Sequence, residues 1–322
     1  MLYPFTFQPL FKERVWGGRA LARLYSKPLP PAVPVGESWE LSDRPGDVSV
    51  IANGPLAGRD LRWLMEQHGE EVLGRVPAAT ERFPLLVKLL DANEVLSLQV
   101  HPPVAQAAAL GGEPKTELWH VLQARPGARL FAGLKRGVTR TRFEACLRDG
   151  TVASCVHSLP VQAGDTLFLP AGRLHALGEG IVVCEIQQNS DTTYRVFDWN
   201  RVGLDGRPRP LHMAESLASI DFSDFEPGLV PARRLAVSDI EVSTLVTGPP
   251  FSADIVALDS GRQAVWHTSA ALVLVVLEGR VTVAAGQALE LRAGQCCLVP
   301  AAVSQVVVRA DVPARLLRAV PM

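Results

Sequence analysis

The chain has 322 residues and a mass of 34.8 kDa; 48% of the residues are hydrophobic and 20% charged, a globular composition that excludes a disordered tail. Lys plus Arg number 32 and Asp plus Glu 33, leaving a formal charge of −1, so there is no basic excess to hold a phosphate backbone and no nucleic-acid partner is expected. The 26 Gly and 25 Pro punctuate the chain too often for long helices and favour many short strands. Cys146, Cys155, Cys184, Cys296 and Cys297 are odd in number and form no C-x-x-C, which fits a reducing compartment better than a disulfide framework. No secretory signal is legible at the N-terminus, and the longest apolar run, 270–277, falls short of the roughly 20 residues that span a bilayer. A cytoplasmic protein without a membrane partner is expected.

In chain order, a helix is predicted over 60–76, with Asp60 suited to its N-cap and Leu64, His68 and Val72 on one stripe. Strict alternation over 95–101 predicts a strand, followed by an Ala-rich helix over 102–110 that stops at Gly111-Gly112. Further strands are predicted over 129–134, 166–169, 181–187, 272–277 and 281–283, and further helices over 141–148 and 212–220. The class is mainly β, with helices as insertions.

One repeat organises the whole. Val161-Gln-Ala-Gly-Asp-Thr-Leu-Phe-Leu-Pro-Ala171 aligns without gaps to Leu291-Arg-Ala-Gly-Gln-Cys-Cys-Leu-Val-Pro-Ala301. Gly turns into a strand and Pro closes it where no ladder donor is needed. Two related β modules follow, divided near 226–231 into residues 1–228 and 229–322, and the repeat resembles the closing strands of a cupin, a small jelly-roll barrel. Both modules are expected to be cupin jelly rolls, the first with helical insertions. The first copy runs on to His175, whereas Gln305 stands at the aligned position of the second, so only the N-terminal module is expected to hold a metal.

In Leu96-Ser-Leu-Gln-Val-His101, Leu96, Leu98 and Val100 share one face and Ser97, Gln99 and His101 the other. Inside a barrel, an amide oxygen beside an imidazole suits a divalent metal, although this segment alone reads equally as a polar face turned to water. Glu117, Trp119 and Val121 share a face, which Lys115 joins if the strand starts early, and His120 points the other way, as a packed core histidine would. Gln99, His101, Glu117 and His175 offer two nitrogens and two oxygens, a set for zinc that also suits manganese, iron or cobalt. His68, His157, His212 and His267 lack such company and read as structural. Farther on, Ile181, Val183, Glu185 and Gln187 share a face, and the polar loop 189–193 brings Arg195 back beside it.

Several motifs in order resemble the type I mannose-6-phosphate isomerases of the short bacterial form: Phe7 to Gly18, Gly36-Glu-Ser-Trp-Glu40, Leu96 to Pro102, Lys115-Thr-Glu-Leu-Trp119, Leu169 to Leu177 and Glu185 to Arg201. The resemblance covers about the first 220 residues. It implies interconversion of mannose 6-phosphate and fructose 6-phosphate through an enediolate, with one zinc ion per chain on Gln99, His101, Glu117 and His175. It further implies Arg195 as the active-site arginine, and Lys115, Glu185 and Asp191 in proton handling or substrate positioning. Ser97 and Lys88 fall at positions linked to the phosphate end of the substrate. Two departures stand out: Pro103-Val-Ala-Gln-Ala where the family carries acids, and His120 where it carries an aromatic. Rival expectations are an isomerase for another sugar, a non-catalytic sugar-binding bicupin, and an iron oxygenase, which metal content and oxygen consumption would distinguish.

Overall fold

A computed structural model describes residues 1–75, 81–231, 233–237 (as a strand only) and 240–322. It is 43% strand and 15% helix, the mainly β class that the punctuation predicts. Residues 10–197 form two large sheets and one two-stranded ribbon, Asp43–Arg44 with Asp47–Val48. The larger runs, edge to edge, through Leu10–Gly18, Val35–Leu41, Leu85–Ala92, Ile181–Gln188, Glu117–Ala124 and Thr166–Leu169. The smaller runs through Tyr194–Phe197, Leu98–Val100, His175–Ala176, Arg129–Leu134 and Val156–Pro160. Every named strand pair is antiparallel, so each residue sits between fixed cross-strand neighbours.

The central strands are apolar on both faces because both faces are covered. Along Leu85–Ala92, Leu85, Val87 and Leu89 join one core cluster, whereas Leu90 and Ala92 join another that lies between the two sheets. Lys88 takes the latter direction, towards the sheet interior. Ile181–Gln188 divides likewise, with Val182, Cys184 and Ile186 outward and Ile181, Val183 and Glu185 inward.

Residues 233–321 repeat this plan. One sheet orders Arg233–Val237, Ile240–Val246, Phe251–Leu258, Ala314–Pro321, Leu272–Glu278 and Cys296–Val299, and the other orders Gln263–His267, Gln305–Ala310, Arg280–Ala285 and Gln287–Arg292. The two copies of the repeat supply Thr166–Leu169 and Cys296–Val299, each the edge strand of its six-stranded sheet. Each is entered through a glycine in the left-handed region, Gly164 at φ +92° and Gly294 at φ +82°. The difference is inside: the second pair of sheets encloses apolar side chains such as Val281, Val283, Leu291 and Val308, and among the described residues no charged side chain is buried there.

The outward faces of the two large sheets share one core, in which Val87, Leu118 and Ile186 sit with Phe251, Val273 and Leu317. The N-terminal segment stitches the halves. Phe5 N–H donates to Leu298 O at 2.8 Å and Leu298 N–H returns a bond to Phe5 O at 2.9 Å, covering the open edge of Cys296–Val299. The helix Leu61–Leu73 joins the same core, its carbonyls of Glu71 and Val72 accepting from Ala302 and Ala301.

Several expectations change in detail. The helix predicted over 60–76 starts as expected, with Asp60 Oδ1 accepting from Trp63 N–H at 2.7 Å, but spans Leu61–Leu73; Val76 lies outside the described residues. His68 leaves the stripe, because its backbone turns non-helical (φ −139°) and its ring bonds Glu71 Oε2 at 2.6 Å. The strand predicted over 95–101 contracts to Leu98–Val100, so Leu96 packs with the cluster between the sheets and not with Leu98 and Val100. The 102–110 segment is one α turn, Val104–Ala107, followed by a 3-10 turn, Ala108–Leu110. A short helix, Ala20–Tyr25, has no local sequence signature; a side chain from a neighbouring strand starts it, Asp91 Oδ2 accepting from Ala20 N–H at 2.6 Å.

Phe5 is fully buried at the seam between the halves. Phe5→Ala is expected to cost about 3–5 kcal/mol, as large-to-small changes at buried aromatics do. Urea denaturation read by tryptophan fluorescence should show the loss as a lower midpoint.

Candidate active site and metal centre

The facing sheets bring the dispersed ligand candidates together. His175 opens the strand His175–Ala176 and lies directly opposite Gln99. Glu117 opens Glu117–Ala124, and His101 follows Leu98–Val100. The ligating atoms of His101, Glu117 and His175 all lie within 4.8 Å of one another, and all three side chains are buried. His101 Nε2 is 3.3 Å from Glu117 Oε1, and His175 Nε2 is 3.4 Å from Oε2. Ligands at about 2.0–2.2 Å from one tetrahedral centre stand roughly 3.3–3.5 Å apart, so these separations match what one divalent ion requires.

The protonation pattern fits as well. His101 Nδ1 donates to Thr192 O at 2.8 Å, and His175 Nδ1 donates to Arg173 O at 2.9 Å. A carbonyl only accepts, so each Nδ1 carries the proton and each Nε2 turns its lone pair to the cluster. Burial pushes the His175 imidazole down to about 3 and, with the Lys115 charge, lowers His101 too, keeping both rings in the neutral ligating form. Burial alone would raise the Glu117 carboxyl, but the Lys115 charge holds it well below the carboxylate range. Lys115 Nζ lies 2.5 Å from Oε1 as an ion pair, yet its direction leaves both carboxylate oxygens buried without a hydrogen bond. An ionised group in that condition calls for a cation. The Gln99 amide stands 3.3 Å from His175 Nε2, and a half turn of the amide exchanges which of its ends faces the cluster. The described residues therefore fit a divalent metal.

Beside the cluster opens a cavity of about 590 Å³, a size suited to a small molecule. All six residues assigned from sequence to catalysis or substrate line it: Arg195, Lys115, Glu185, Ser97, Lys88 and Asp191. Gln99 lines it too, whereas His101, Glu117 and His175 are each about 1% exposed or less and lie beneath its wall.

Strand register explains the polar wall. Trp39, Lys88, Glu185 and Trp119 are successive cross-strand neighbours along one row of the large sheet. Glu185 accepts from Trp119 Nε1 at 2.6 Å and pairs with Lys88 Nζ at 3.2 Å. Glu37 mirrors it on the other side, accepting from Trp39 Nε1 at 2.6 Å and from Arg14 Nε at 2.7 Å. Burial raises the Glu185 carboxyl more than the Lys88 charge lowers it. At Glu37 the Lys88 and Arg14 charges outweigh burial and hold the carboxyl low. Burial opposes the Lys88 charge, but Glu185 and Glu37 more than offset it, so the ammonium persists.

Arg195 differs from the other cavity cations. Lys88, Lys115, Arg14 and Arg209 all pair with carboxylates, whereas Arg195 has no ion pair among the described residues. Its Nη1 donates to Pro210 O at 2.8 Å and its buried Nε has no partner.

Sequence reasoning gave no role to Arg14, Trp16, Glu37 and Arg209, which also line the cavity. Alternation in Val35–Leu41 puts Glu37 and Trp39 on one face and could have flagged them; nothing local marks Arg209, which arrives on a loop held by Asp198. His120 is the packed histidine expected, facing away from the cavity with Nδ1 2.9 Å from Thr166 Oγ1.

The family description "Phosphomannose isomerase type I, catalytic domain" matches residues 5–135. A mannose-6-phosphate isomerase of Streptococcus mutans is 35% identical over 93% of both chains. The mannose-6-phosphate isomerase ManA of Bacillus subtilis is 33% identical over 88% of both. The crystal structure of the mannose 6-phosphate isomerase from Bacillus subtilis superposes with a TM-score of 0.90 at 31% identity, covering 99% of each chain. A putative mannosephosphate isomerase from Archaeoglobus fulgidus shares the fold, with a TM-score of 0.77 at 24% identity. With likeness on this scale running nearly end to end, the chain belongs to the type I phosphomannose isomerase family.

Proposed function

We propose that the chain interconverts mannose 6-phosphate and fructose 6-phosphate, using one zinc ion held by Gln99, His101, Glu117 and His175. One observation carries the reading: in a chain of this family, buried donors at ion-binding separations adjoin a cavity lined by all six expected catalytic and substrate residues. A sugar-binding bicupin would have no use for a complete set of that kind.

The chemical difficulty is removal of a carbon-bound proton beside a carbonyl, which leaves an enediolate. When bound, zinc would supply Lewis acidity towards the sugar's oxygens. Arg195, a cation with no carboxylate to neutralise it, stabilises the negative charge that develops on those oxygens. Glu185 carries the proton between C2 and C1; burial raises its carboxyl above the ordinary carboxylate value, and Trp119 and Lys88 fix its two oxygens. Lys115, already against Glu117, orients the sugar end nearest the ion. Ser97, Lys88 and Asp191 bind the remainder of the sugar phosphate.

Catalysis belongs, in this reading, to residues 1–228, and residues 229–322 form a metal-free cupin that packs against the outer face of the catalytic module. No helix among the described residues is long and apolar enough to cross a membrane. The small phosphorylated substrate and the uneven cysteine count favour the cytoplasm.

Formation of fructose 6-phosphate from mannose 6-phosphate, followed in a coupled assay, should cease on chelation and return when zinc is added back. A loaded protein inert towards mannose 6-phosphate would exclude the assignment. His175→Ala should abolish metal retention, measured by elemental analysis; a full zinc complement would remove His175 from the ligand set. Arg195→Ala should lower kcat by roughly a hundredfold or more while zinc stays bound.

A further inference from the structure

We propose that His212 is a positioning residue for Arg195, holding the backbone of that arginine so that its guanidinium faces the cavity. The inference rests on the role given to Arg195 above. Tyr194–Phe197 is the edge strand of the five-stranded sheet, and its single strand neighbour is Leu98–Val100, with Arg195 opposite Gln99. Immediately after that pair the register slips, so the ladder is interrupted at the arginine and resumes only with Phe197 opposite Leu98. The outer N–H and C=O groups of an edge strand need partners from elsewhere.

One residue supplies both. Arg195 N–H donates to His212 Nδ1 at 3.1 Å, and His212 N–H donates to Arg195 O at 2.9 Å. Two residues before the histidine, Pro210 O accepts from Arg195 Nη1 at 2.8 Å. A three-residue segment thus grips the arginine at its backbone donor, its backbone acceptor and its side chain. Since a backbone N–H only donates, His212 Nδ1 is unprotonated and the ring proton sits on Nε2.

The placement of the ring is informative. His212 occupies the N-cap of the helix Met213–Ser219, where a side-chain acceptor ordinarily serves the helix's own first N–H groups. Its ring makes no such capping bond. The acceptor is directed instead across to the catalytic strand. His212 is not among the residues lining the cavity; its ring also meets the Tyr194 ring at 6.1 Å, but its hydrogen bonds to the strand go to Arg195. A charge stabiliser works only when it is aimed beforehand, and small displacements of catalytic groups cost rate steeply.

Ala, Gln and Asn variants at position 212 separate this role from simple packing. The Asn oxygen lies close to where Nδ1 is, whereas a Gln amide extends towards the Nε2 position. Measured with mannose 6-phosphate, His212→Ala and His212→Gln should lower kcat roughly tenfold or more with little change in KM, and His212→Asn should recover most of the loss. Zinc content should stay at the wild-type level in all three. In an Arg195→Ala background, His212→Ala should cost no further activity. Wild-type kcat in His212→Ala would overturn the proposal, as would an undiminished loss in the Arg195→Ala background or an Asn variant no better than Gln. Wild-type protein inert on mannose 6-phosphate would sink the functional reading and this inference with it; normal wild-type turnover with an indifferent position 212 sinks the inference alone.

Discussion

A buried carboxylate without a hydrogen bond sets the terms for the rest of this molecule. Glu117 is fully enclosed, carries its charge, and faces two imidazoles whose outer nitrogens are tied to carbonyls. Such a group is tolerable only where positive charge converges on it. Lys115 supplies part of that charge, and the two imidazole lone pairs are arranged for an ion to supply the remainder. The barrel exists to hold these side chains at fixed separations. Even the two residues of His175–Ala176 suffice as a strand, because they are locked between two longer neighbours.

The same logic extends outward along the cavity wall. Glu185 and Glu37 stand on either side of Lys88, each with one oxygen on an indole N–H. Sharing one ammonium, the two carboxylates shift in opposite directions: the Lys88 and Arg14 charges outweigh burial and lower Glu37, whereas burial outweighs Lys88 and raises Glu185. Arg195, on the opposite sheet, has no ion pair among the described residues.

Much of this was legible in the chain. Alternation placed Gln99 and His101 on one face, and Glu117 with Trp119 on another, because a strand's period of two is a geometric necessity. The repeat announced two modules because glycine before a closing edge strand meets the same backbone demand in both. What escaped notice depends on partners distant in sequence. The helix at Ala20 is started by Asp91, and Leu96 packs between the sheets because its strand begins three residues later than alternation implied. His212 read as structural, since nothing near it in the chain reveals that its ring meets the strand of Arg195.

The strand Ala314–Pro321 lies in the middle of its sheet, between Phe251–Leu258 and Leu272–Glu278. That sheet stays divided until this strand, late in the module's sequence, takes its place, and until then the apolar outer face of the first barrel's large sheet waits uncovered. Long-range pairing of this kind closes slowly, so shutting the second barrel removes a sticky surface from the reach of other chains.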